Sequence, residues 1–393
     1  MSSLDHPDRA KGLTVWGKLG SHLANGALAV AAAAAVFSAA TTRVVAEPAK
    51  VVIGISSRSF NPGFSNMWIG IPLGLYGKDI EPEAVGTQGV AENLQLMLSG
   101  QLTISTGIQD VLFGSAAEGR QLPVVIPCVY LRGLIHRVSV LPDSKIQSYA
   151  DLKDQRVGLP TLAYGGVPYL KFAARHANID PESIQMVAVG DGQQAAAALL
   201  SGRVDALTNA DVDVARLLGL GVKVRVVPPP ETMRDAATAY VFAFSKPWYE
   251  GHKKEAALIL KGMIRAIIVM LENPEAAVRI SYYMHPESVP GGVPFDKAVA
   301  SAVETIKVRA PAIERVVTGS TKWCDFSPVA WENFTDLIGV KGKVDPSKFY
   351  TDELISEIND FDEPKLRAWA RNLKVPTDNS DIGDWLKTLS PPL

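Results

Sequence analysis

Two stretches decide the fold: residues 86–106, GTQGVAENLQLMLSGQLTIST, and residues 190–209, GDGQQAAAALLSGRVDALTN. Each runs from a Gly-containing polar loop through a short helix to a Ser-Gly stop and then into a strand. In the first, Leu94, Met97 and Leu98 form the apolar face of a helix over 90–98. Ser99-Gly100 ends it, as glycine does at helix C-termini. In the second, the Ala-rich segment 194–200 is the helix and Ser201-Gly202 the stop. The match predicts a weak internal repeat, one copy in each half of the chain.

The pattern extends outward from both copies. Strands are expected at 51–55, 83–85, 102–106 and 123–130, with helices at 67–76 and 111–118. The same alternation returns with strands at 156–160, 185–189, 204–208 and 223–227 and a helix at 168–177. This order implies α/β layers around mostly parallel sheets. Residues 131–142 read as a basic, irregular linker, and Pro228-Pro229-Pro230 marks a second boundary. A strand at 240–245 and a long helix pair, 247–271 and 274–284, follow; the tail from 293 reads as helices broken by Pro and Gly. No βαβ pattern follows residue 246. The expected organisation is therefore nested: one lobe from 47–136 and 239–393, a second from 137–238 inserted into it, and two crossings between them.

The chain has 393 residues, 39 Lys+Arg against 41 Asp+Glu, and two cysteines. A balance that even argues against a nucleic-acid or polyanion binder. Residues 1–46 read as an export signal: Arg9, Lys11 and Lys18, then apolar Gly26–Ala40, then Val44-Val45-Ala46. The apolar run is shorter than the ~20 residues of a comfortable membrane span. An uncleaved signal anchor is the alternative. No cysteine follows the run, which closes the lipoprotein route. Without Arg9, Lys11, Lys18, Arg43, Asp5 and Asp8 the remainder carries 35 basic and 39 acidic residues, a charge of −4. The expected product is exported, soluble, periplasmic and non-lipidated. Cys128 and Cys324 leave two readings open, a disulfide or two separately buried thiols.

Several stretches carry a family resemblance: GIPLGLY at 70–76, SGQL at 99–102, SYADLKDQRVG at 148–158, AAALLSGRVDA at 196–206 and ENPEAA at 272–277. Over roughly 51–285 the chain resembles the nitrate/sulfonate/taurine and thiamine-pyrimidine-precursor class of periplasmic solute-binding proteins of ABC importers. Two departures stand out. Thr103 occupies a position where the family often has Asp, and the material after about 310 is longer than usual. The resemblance implies an α/β type II periplasmic-binding fold, two lobes joined by two crossovers, here with a C-terminal helical extension. It also implies a permease and ATPase complex as partner and a small ligand held in the cleft.

Ligands of α/β lobes collect beyond the C-terminal strand ends. Helix N-termini there suit small anions. Arg58, after the first strand, offers a guanidinium fork for a ligand anion. Phe60 and Trp68 flank that loop as a candidate aromatic wall. Tyr164, Gly165 and Gly166 are the counterpart in the second lobe, where glycine permits close backbone approach. Gln88, Gln109, Thr161 and Asn209 are neutral hydrogen-bonding groups at strand ends. Asp191 and Asp211 would repel an anion and suit an amine; Asp191 reads first as a helix cap.

Catalysis finds little support in the sequence. His136, His176, His252 and His285 are scattered without metal spacing, and neither a nucleophile elbow nor a P-loop occurs. His136, beside Arg132 and Arg137, reads as hinge or surface chemistry. The expectation is a non-enzymatic protein without cofactor or metal, with no nucleic-acid partner and no stable membrane insertion. It would capture a small, anionic organic solute, sulfonate-, carboxylate- or nitrate-like, or pyrimidine-like. A pyrimidine-synthase-like enzyme on the same fold and a ligand sensor are the alternatives.

Overall fold

The computed structural model describes residues 47–162, 164–233, 240–314 and 320–393. The expected export signal lies outside them, as does the end of the second linker. Among the described residues, ten strands form two five-stranded sheets. The first contains β1 (Ala49–Ile55), β2 (Ile80–Gly86), β3 (Ile104–Thr106), β4 (Val124–Leu131) and β10 (Tyr240–Ser245). The second contains β5 (His136–Val140), β6 (Arg156–Leu159), β7 (Gln185–Ala188), β8 (Ala206–Ala210) and β9 (Arg225–Val227).

The strand orders, β2-β1-β3-β10-β4 and β7-β6-β8-β5-β9, follow one plan. In each sheet three parallel strands are followed by an antiparallel one: β10 against β3 and β4, β5 against β8 and β9. That fourth strand is the one the chain enters on arriving from the other sheet. The repeated loop–helix–stop unit builds the parallel part of each. Helices α1 (Val90–Leu98) and α2 (Gln109–Ala117) flank β3, while α3 (Val167–His176), α4 (Gly192–Leu200) and α5 (Asp211–Gly219) serve the second sheet. Gly100 and Gly202 end α1 and α4 at φ +80° and +69°, a left-handed turn that costs glycine little.

Four expectations are corrected. Residues 67–76 form no α-helix. A 3-10 turn over Pro62–Met67 leads into further turns, because Gly70, Pro72 and Gly74 (φ +67°) interrupt any continuous helix. The stretch read as a linker holds β5, whose alternation of Val138 and Val140 is obscured by the polar His136 and Arg137 at its start. Helix α5 follows β8 directly, where only a loop was expected. The first of the two long helices is split into α6 (Lys246–Gly251) and α7 (Lys253–Glu272) by non-helical His252 (φ −138°, ψ 40°).

The core of the first sheet is deep. Helix α7 buries Ile259, Leu260, Met263, Ile264, Ile267 and Ile268 against it, beside α8 (Pro274–Met284). No helix among the described residues is long and apolar enough to cross a membrane. Helix α9 (Phe295–Ile313) lies along α5 of the second sheet as well as along the turn at 62–67. Residues from α10 (Pro328–Leu337), notably Trp331, Phe334 and Leu337, join a cluster shared by Phe113 of α2 and Leu170 of α3. The C-terminal extension thus contacts both halves. A disulfide between Cys128 and Cys324 fastens it to β4 and resolves the cysteine alternatives.

Candidate functional site

The C-terminal ends of β1, β3, β6 and β8 open onto the gap between the sheets. On the first side, buried Asn93 donates to Gly54 O (3.0 Å) and to Ser56 Oγ (2.7 Å), and Ser56 Oγ donates to Thr106 O (2.5 Å). These bonds hold the ends of β1 and β3 together and fix the loop 56–61. From that loop Ser59 Oγ reaches Asp191 Oδ2 at 3.4 Å, and Asn61 Nδ2 reaches Asp213 Oδ1 at 3.4 Å. Both contacts span the gap.

Deeper in the gap, at the N-terminus of α2, Asp110 Oδ1 accepts from the Tyr169 hydroxyl of α3 at 3.3 Å. Its Oδ2 lies 3.7 Å from the point a Cβ on Gly165 would occupy. Burial pushes the Asp110 carboxyl up to about 8, against the opposing pull of the Tyr169 hydrogen bond. His136 is buried between two tyrosines, with Nδ1 3.0 Å from Tyr164 Oη and Nε2 3.0 Å from Tyr240 Oη. Burial, together with the charges of Arg309 and Arg137, lowers its pKa to about 3, so the ring is neutral at physiological pH. Its reading as hinge or surface chemistry is half right: it stands at a crossing between sheets and is not on the surface.

One fully buried cation reaches this region. Arg309 of α9 pairs with Asp211 through Nε (2.9 Å) and Nη2 (2.5 Å), and its guanidinium lies 4.4 Å from the Phe64 ring centroid. In the second lobe, Asp213 is pushed up to about 6 by burial and by the neighbouring charge of Asp191. Pro160, Gly190, Asp191, Asn209 and Asp213 line a cavity with room for about one water molecule.

The residues expected at the site fall into three groups. Gln109, Tyr164, Gly165, Gly166 and Asn209 are in or against the gap. Gln109 is fully buried beside the Tyr169 hydroxyl with its Oε1 unpartnered, and the buried Asn209 has an unpartnered Oδ1. A Cβ on Gly166 would press on Tyr164 and lie 2.7 Å from His136 Nδ1, so glycine is needed for this packing. Arg58, Gln88 and Thr161 are exposed around the loops. Phe60 and Trp68 face away: Phe60 stacks on His285 (3.5 Å between centroids), and fully buried Trp68 donates to Ser281 Oγ at 3.0 Å. They make a core knot under the first loop, not a wall of the gap.

Sequence reasoning missed Asp110, Tyr169, Tyr240, Asp211 as an ion-pair partner, and Arg309. Asp110 had a signal, since it ends the strand-end loop 106–110. Tyr169 had a weaker one, in the first turn of α3. Arg309 had none, because nothing local shows that a tail helix returns to the strand ends.

The comparisons agree with this geometry. The NMT1/THI5-like family matches residues 70–277, more than half of the chain. A comparison with curated proteins gave no match. Among solved structures, a protein of Bordetella bronchiseptica RB50 is similar at TM-score 0.64 and 17% identity, covering 80% of this chain and 98% of that one. The periplasmic aliphatic sulphonate binding protein SsuA of Escherichia coli is similar at TM-score 0.56 and 16% identity, over 75% and 86%. The periplasmic nitrate-binding protein NrtA of Synechocystis PCC 6803 follows at TM-score 0.52 and 13% identity, over 88% and 99%. At these identities the likeness establishes the periplasmic-binding fold. The sequence match goes further: the chain belongs to the NMT1/THI5-like family.

Proposed function

We propose that the protein is an extracytoplasmic solute-binding protein that captures a small organic solute between its two halves and delivers it to an ABC permease and ATPase complex. The observation that carries this reading is the gap itself. Two sheets of identical plan point their strand ends at each other, and Ser59–Asp191, Asn61–Asp213 and Asp110–Tyr169 bridge the space between them. These three contacts are polar and long, and they can break and reform as lobes 47–136/239–393 and 137–238 move about the packing of α5 on α9. The disulfide Cys128–Cys324 supports an oxidising, extracytoplasmic compartment.

Binding without chemistry is the better reading of the site. His136 has both ring nitrogens engaged by tyrosines, and Arg309 is committed to Asp211. The expected preference for an anion rested on the helix N-termini at the strand ends and on Arg58, whose side chain is exposed at the rim. The ligand class must therefore be argued from the buried groups.

The test is a thermal-shift screen of ethanesulfonate, nitrate, small carboxylates, pyrimidines and primary amines, followed by small-angle scattering with any hit. A binder raises the melting temperature by mass action and changes the radius of gyration. A screen in which no class raises the melting temperature contradicts the solute-binding reading.

A further inference from the structure

We propose that Asp110, with Gln109 and Tyr169, forms a subsite for a protonated amine, so that the solute carries an ammonium or amidinium group. The inference rests on the solute-binding reading and assigns its ligand chemistry.

Asp110 is a buried carboxyl facing the other lobe with one long hydrogen bond, from Tyr169 at 3.3 Å. It makes no helix cap, and among the described residues no cation pairs with it. A carboxylate withdrawn from water without a cation is costly, so Asp110 holds its proton at neutral pH and gives it up only beside a cation.

Gln109 is the independent second sign. Its side chain is fully buried, with its amide N–H at the Tyr169 hydroxyl and its Oε1 without a hydrogen-bond partner. Buried amides are almost always paired. Asp110 Oδ2, Gln109 Oε1 and the Tyr169 hydroxyl oxygen together offer acceptors, which suit the three donors of an ammonium group. Gly165 leaves the backbone opposite Asp110 without a side chain.

The surrounding charge points the same way. Arg309 is balanced by Asp211, and Arg216 lies 3.8 Å from Asp191. Asp110 and Asp213 then remain without a cation of their own. An ammonium would give the charged form of Asp110 a partner, whereas an anion would give it none. The same interaction would draw the Asp110 carboxyl down from its raised value.

The experiment is calorimetric titration of the full chain with ethylamine, putrescine, agmatine, tyramine and tryptamine. Each hit is repeated as its N-acetyl derivative, and the sulfonate and nitrate controls run in parallel. The expected result is saturable binding of at least one amine, lost on N-acetylation and weakened at least tenfold in Asp110→Asn. Asp110→Asn keeps the shape of the side chain, and the N-acetyl comparison on the wild-type protein stands even if that variant misfolds. No binding by any amine overturns the proposal. Equal affinity of an amine and its N-acetyl form also overturns it. Binding of ethanesulfonate or nitrate unaffected by Asp110→Asn removes the amine assignment and leaves the solute-binding function standing.

Discussion

Two buried carboxylates face the gap between the sheets, and they are in opposite states. Asp211 is locked to the fully buried Arg309, whose guanidinium also lies over Phe64. Asp110 has a single hydroxyl donor and a neighbouring glutamine whose carbonyl oxygen has nothing to bond. The first arrangement joins α5 to α9 and is complete without a ligand. The second is incomplete in the same fold. Their contrast separates a residue that holds the lobes in place from one left available for a solute.

The largest expected effect breaks the completed side. Arg309→Ala strands Asp211 as an uncompensated buried charge and should cost about 3–5 kcal/mol, read by chemical denaturation. Replacing both partners by apolar residues of similar size should recover much of that loss. If the single variant is as stable as wild type, the pair is not structural.

Next comes the strap that carries the extension. Opening Cys128–Cys324 by Cys324→Ser or by reduction releases a cross-link spanning 196 residues and should cost about 2–5 kcal/mol. Differential scanning calorimetry with and without reductant measures it. An unchanged transition would mean that packing of Trp331 and Phe334 alone holds the segment.

A smaller effect tests the incomplete side. Asp110 binds its proton up to about pH 8 when folded, but only to about pH 4 when unfolded. The folded state therefore holds more protons, and stability falls as pH rises through that interval. Asp213, raised to about 6, acts in the same direction at lower pH. His136, lowered to about 3, acts oppositely, and its contribution is complete above the unfolded histidine pKa of ~6.5. From pH 6.5 to 8.5 Asp110 dominates among these three, with a loss of up to about 2 kcal/mol. Asp110→Asn should flatten that slope. A slope that survives the substitution assigns it to another group.

The smallest effect concerns the rim. Arg58→Ala should change stability, and affinity for any solute found, by less than about 0.5 kcal/mol, because the side chain stands in solvent. A large loss of affinity would restore the anion-fork reading.

The fold was more legible than the site, for physical reasons. The Gly-polar loops and Ser-Gly stops at 99–100 and 201–202 are local signals, and they placed the parallel strands of both sheets. β5 escaped because His136 and Arg137 mask its apolar alternation, although it is an interior strand. The turns at 62–76 escaped because an apolar run does not reveal left-handed glycines. Within the candidate site, the strand-end loops were readable, so Gln109, Tyr164 and Asn209 were placed near the gap. Whether an aromatic at a loop faces in or out depends on what packs beneath it: Phe60 turned toward His285, and Trp68 toward Ser281. Arg309 arrives from about 100 residues beyond its partner, a distance over which sequence spacing carries no information.

The most direct measurement is native mass spectrometry of the protein purified from its own host without unfolding. The account predicts one small, amine-bearing adduct per chain on the wild type, absent from Asp110→Asn isolated in the same way. No adduct on either protein, or the same adduct retained by Asp110→Asn, would contradict it.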